Sequence, residues 1–116
     1  MLPTLVGSKV VDQKARMRSA SIEHSVIRED IVGRRNLDDT SNVSRAELDH
    51  VEVPHRVTGA FQPVRVSFAI ELTWRRPHSG STHDTLFYVV PKDALDIDML
   101  LGYKDSNEEV AGVYTV

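Results

Sequence analysis

The amino-acid sequence predicts an all-β domain, mainly strand with one short helix, and three observations carry that reading. Apolar side chains take every even position from Val64 to Trp74: Val64, Val66, Phe68, Ile70, Leu72 and Trp74. Arg65, Ser67, Ala69, Glu71 and Thr73 take the odd ones, and a period of two puts one set inward and the other outward on a half-buried strand. Leu86, Phe87, Tyr88, Val89 and Val90 form an unbroken apolar run closed by Pro91, as expected of a strand covered on both faces. A polar stretch with Pro77, Ser79, Gly80 and Ser81 separates the two, so they are expected to form a long hairpin.

The remaining elements follow in chain order. Residues 8–11 are a short strand candidate. Ser25 is the expected cap of a single helix, with Glu29 and Asp30 suiting its positive end and Arg34 and Arg35 its negative end. Ile27 and Ile31 fall on one face of that helix. Residues 36–47 are polar and read as loop, and residues 51–57 as a strand. Gly59 marks a turn. Residues 97–101 form a further strand, ended by Gly102, and residues 110–116 a last one. Strands at the two chain ends are expected to offer an edge for pairing.

At 116 residues and 13.0 kDa the chain is expected to form one domain, residues 1–116. The absence of cysteine excludes disulfides, Cys-ligated zinc, iron–sulfur clusters and a thiol nucleophile. A net charge of −3 argues against a nucleic-acid partner. Neither a basic-then-apolar leader nor an apolar run of about 20 residues is visible, so an intracellular protein without a membrane partner is expected.

Few residues point to chemistry. His24, His50, His55, His78 and His83 lack helical ligand spacing and read as loop histidines, so neither a metal nor any other cofactor is expected. The doublets Arg34-Arg35 and Arg75-Arg76 read as solvated charge rather than anion contacts. The glycines form no phosphate-binding loop, and no Gly-x-Ser-x-Gly elbow occurs. Trp74 is expected in core or interface packing.

Three segments, in order, carry a resemblance. Ser19, Ala20, Ser21, Ile22, Glu23, His24, Ser25, Val26 and Ile27 precede the short helix. Leu72, Thr73 and Trp74 end one hairpin arm, and Thr85 to Pro91 form the other. Leu95 to Gly102 ends in Leu100, Leu101 and Gly102. Together these resemble retropepsin-like aspartic protease domains of the fungal and retrotransposon-derived type, over about residues 10–105. The resemblance implies a small closed barrel, homodimerisation, and a cleft that takes an extended peptide. Its fold signature here would be Ser25, Ile27, Leu100, Leu101 and Gly102, with Gly59 on the flap side.

The catalytic triplet departs from the family. Where the family has Asp-Thr-Gly, this chain has Ser19, Ala20 and Ser21, and Arg18 stands at an apolar strand position. Such chemistry needs two carboxylates about 3 Å apart sharing one proton, one from each chain in the dimeric family. A serine hydroxyl can hold a water but cannot take its proton at neutral pH. The resemblance therefore implies a catalytically inactive module for homodimerisation or for binding a peptide or protein segment. Two alternatives stay open. One is an active endopeptidase using Asp39 in the shifted triplet Asp39-Thr40-Ser41; the other is an unrelated small β ligand-binding domain.

Overall fold

The computed structural model describes residues 14–34, 43–44, 48–76, 80–105 and 111–115. Along the chain run strands β1 (Lys14–Ser19) and β2 (Val26–Arg28), helix α1 (Glu29–Arg34), then β3 (Val43–Ser44), β4 (His50–Pro54), β5 (Phe61–Arg65), β6 (Ala69–Arg75) and β7 (Thr82–Val90). A 3-10 turn (Lys92–Ala94), β8 (Met99–Leu101) and β9 (Ala111–Thr115) complete them. The protein is thus mainly β with one short α-helix among the described residues, as its sequence predicts. The strand candidate at residues 8–11 lies outside those residues, as does Asp39.

One sheet has the order β3-β6-β7-β2-β8-β1-β9, while β4 and β5 form a separate hairpin. The large sheet curls until Arg75 of β6 pairs with Thr115 of β9, giving a half-barrel in which the edge strand β9 meets β6 at one residue pair. Its centre has an unusual connectivity. β8 lies between β1 and β2, parallel to the first and antiparallel to the second. The chain leaving β1 must therefore pass around the end of β8 to enter β2.

Alternate residues of the central strands face two different cores. Met17, Ile27, Ile70, Leu72, Phe87, Val89, Met99 and Leu101 pack together inside the curl. Val26, Ala69, Tyr88, Val90 and Leu100 point the other way, where Val51 and Val53 of β4 cover them. Two covered faces explain why Phe87 to Val90 and Met99 to Leu101 are apolar at every position. Trp74 is core, as expected: its Nε1 donates to Thr85 Oγ1 at 3.0 Å and its ring meets Tyr114 edge-on at 5.2 Å.

Several boundaries differ from the sequence reading. The alternation from Val64 to Trp74 spans two strands, because the chain leaves β4 after Arg65 and joins β7 from Ala69. A bend need not interrupt a period of two: Val66 is buried in the outer core and Phe68 packs on the inner one. The hairpin between β6 and β7 forms, but β7 begins at Thr82, so His83 is in a strand and stacks on Trp74 at 4.5 Å. The helix starts at Glu29, since the β-branched pair Val26-Ile27 extends into β2 against β7 and β8. Ser25 caps no helix. Arg28 instead closes onto the helix's first turn, donating to the Asp30 carboxylate through Nε at 2.9 Å and Nη2 at 2.6 Å.

Candidate functional site

The connection from β1 to β2 is held against the end of β8 residue by residue. Ser19, the last residue of β1, is in register with Leu101. Ala20 N–H then donates to the Leu101 carbonyl at 3.0 Å. Ile22, fully buried, accepts from Tyr103 N–H at 2.8 Å, and the Ser25 carbonyl accepts from Tyr88 N–H at 2.9 Å. The Ser25 hydroxyl is also fully buried. It accepts from Gly102 N–H at 2.9 Å and donates to Asp105 Oδ2 at 2.5 Å. Ser19 and Ala20 end half-buried, and Ser21 is exposed.

Gly102 explains itself sterically. A Cβ placed there would lie 2.6 Å from the His24 carbonyl carbon and 2.7 Å from the Glu23 carbonyl oxygen. Only glycine lets the loop pass this close to the end of β8.

A second tie lies on the exposed side of the loop. The Glu23 carboxylate meets Lys104 Nζ at 3.3 Å and His24 Nε2 at 2.9 Å, and accepts from the Tyr103 hydroxyl at 3.3 Å. The Lys104 ammonium, aided by His24 and Tyr103, holds the Glu23 carboxyl below the usual carboxylate range. The folded state therefore favours the ionised form, and that stabilisation is present above the free-glutamate pKa of about 4.3. It is lost as pH falls through and below that value. Urea unfolding midpoints are expected to drop over this acid window, and to drop less steeply in Glu23→Gln. Parallel curves for the two proteins would show that the tie contributes nothing.

Beside this loop is a cleft of about 280 Å³. Arg18 and its register partner Leu100 form one side, continued by Leu95 and Asp96. The connection between β4 and β5 forms the other, from Pro54 through Gly59. That hairpin tip is a closed turn. His55 N–H donates to the Ala60 carbonyl at 2.8 Å and Gly59 N–H to the His55 carbonyl at 2.9 Å. His55 Nδ1 accepts from the Val57 and Thr58 amides at 3.1 and 3.3 Å. Gly59 is a turn glycine, as expected, with φ at +75°.

The structure therefore brings Ser19, Ala20, Ser25, Leu100, Leu101 and Gly102 to one place, with Gly59 across the cleft. Ile27 and the Leu101 side chain lie on the opposite face, in the inner core, and Leu101 reaches the loop only through its carbonyl. Sequence reasoning missed Asp105, Glu23 and Lys104. Asp105 lies 80 residues from Ser25, and only the insertion of β8 beside the loop joins them. No group of three or more His, Asp or Glu side chains converges as a metal site among the described residues. Nor is any helix among them long and apolar enough to cross a membrane. The loop's hydroxyl and amide groups can hydrogen-bond a ligand but cannot serve as a general base near neutral pH. Its one carboxylate, Glu23, and one imidazole, His24, are tied to each other, with Glu23 also paired to Lys104. Comparison with family models, curated proteins and solved structures gave no match.

Proposed function

We propose that the protein is a catalytically inactive retropepsin-like domain, a module that binds an extended peptide or protein segment and pairs with a second copy of itself. The observation that carries this reading is the loop from Ser19 to Ser25, wrapped around the end of β8 beside a cleft roofed by the hairpin tip. In the family this loop carries the catalytic aspartate. Here the same position holds Ser19, so two copies would supply two hydroxyls and no shared proton. A cleft between a floor and a hairpin suits a ligand in extended conformation, which can add as a strand to the edge left open, among the described residues, by the two-stranded β4–β5 hairpin. Pairing is favoured by β9. On its side away from β1, only Thr115 has a partner strand residue among the described residues.

Two measurements test the reading. Sedimentation of the purified chain is expected to give twice its 13.0 kDa. Incubation with a mixed peptide library between about pH 4 and 6, where one carboxylate of an acid-protease dyad is protonated, is expected to give no cleavage. Cleavage that pepstatin abolishes would overturn the inactive reading and turn attention to Asp39.

A further inference from the structure

We infer that the cleft selects extended peptides carrying an acidic side chain, gripped between Arg18 and Arg56; this rests on the peptide-binding reading above. The position of Arg18 is the reason. Its register partner Leu100 and the neighbouring Leu95 are 1% and 3% exposed, so they underlie the cleft and leave its surface mainly to polar groups. On that surface the chain places a guanidinium whose side chain is about half exposed. Asp96 touches it at 3.9 Å, the outer limit of an ion pair and beyond hydrogen-bonding distance. An exposed pair of that length leaves most of the five N–H donors of the guanidinium available.

The opposite wall has the same sign. Arg56 comes from the hairpin tip, and beside it stands His55, whose Nδ1 is occupied as an acceptor by the turn amides. The proton of its neutral ring is then on Nε2, a further donor. The cleft thus gathers two guanidiniums and an imidazole against one carboxylate, on a chain whose net charge is −3. A planar carboxylate that accepts two parallel N–H bonds is the group this arrangement fits best. The peptide backbone would pair with the open edge of the β4–β5 hairpin, since β1 and β8 are already paired on both sides, and the acidic side chain would set register and specificity.

The test pans a phage-displayed random dodecapeptide library over the immobilised full chain, then measures the recovered peptides by fluorescence anisotropy. Recovered sequences are expected to be enriched in Asp or Glu at one position. Changing that residue to Gln or Asn in the peptide is expected to weaken binding about tenfold or more, since a charge-assisted bond is lost. Arg18→Leu should abolish this discrimination, bringing the affinity for the acidic peptide to that for its neutral counterpart, and Arg56→Leu provides a second variant on an exposed turn. Peptides without acidic enrichment, or discrimination that survives both variants, would overturn the inference and leave peptide binding standing. Recovery of no peptide at all would overturn the peptide-binding reading with it.

Discussion

Gly102→Ala is expected to lower stability by about 3 kcal/mol or more, the upper part of the range for overpacking. The added methyl would meet the carbonyl groups of Glu23 and His24 at 2.6 to 2.9 Å. These are backbone atoms, so no side chain can rotate away. Either the loop lifts from β8 or β8 shifts between β1 and β2, and both movements stretch the bond from Gly102 N–H to Ser25 Oγ. Urea unfolding measures this directly: with a slope of about 1–3 kcal/mol per molar, the midpoint should fall by roughly 1–3 M. Gly80→Ala is the control, because a Cβ there meets nothing within 4 Å and its midpoint should hardly move. Equal behaviour of the two variants would remove the steric argument.

Ser25→Ala should cost about 2 kcal/mol, within the range for stranding a buried donor. The hydroxyl is fully buried and acts twice, accepting from Gly102 and donating to Asp105. Without it the Gly102 amide has lost its acceptor in a site closed to water, and the carboxylate loses a donor. Alanine itself fits the space, so the cost is one of hydrogen bonding and not of packing. Thermal unfolding gives the size of the loss. Hydrogen exchange gives its location, because Gly102 N–H should exchange much faster in the variant. Unchanged protection at Gly102 would mean that the amide is held by something other than Ser25.

These two residues also show what the sequence could and could not disclose. Local patterns were legible. The unbroken run from Leu86 to Val90 announced a strand covered twice; that holds from Phe87 to Val90, where a core lies on either side of β7, but Leu86 is exposed. The acidic pair Glu29-Asp30 announced the first turn of α1. The split between β5 and β6 was hidden, because residues keep alternating through a bend while the partner strand changes from β4 to β7. Ser25 was misplaced as a helix cap because a serine ahead of an acidic turn satisfies the local rule for one. Its actual partners are 77 and 80 residues away, beyond any local rule. The resemblance in residue order placed Ser19, Ser25 and Gly102 together, but the roles of Asp105, Glu23 and Lys104 needed the register of β8.

The threading of β8 between β1 and β2 has a consequence for how the protein comes into being. Nothing early in the chain can finish the loop around residues 20–25, since its anchoring groups come from residues 101–105. During synthesis the loop and both flanking strands must wait until that late segment has left the ribosome. Closing contacts over nearly 80 residues carries a large entropic cost before any reward, so folding is expected to be slow for a chain of this size. Until then β1 and β2 present open strand edges to other chains, and the interval before β8 arrives is when the protein is most prone to aggregate.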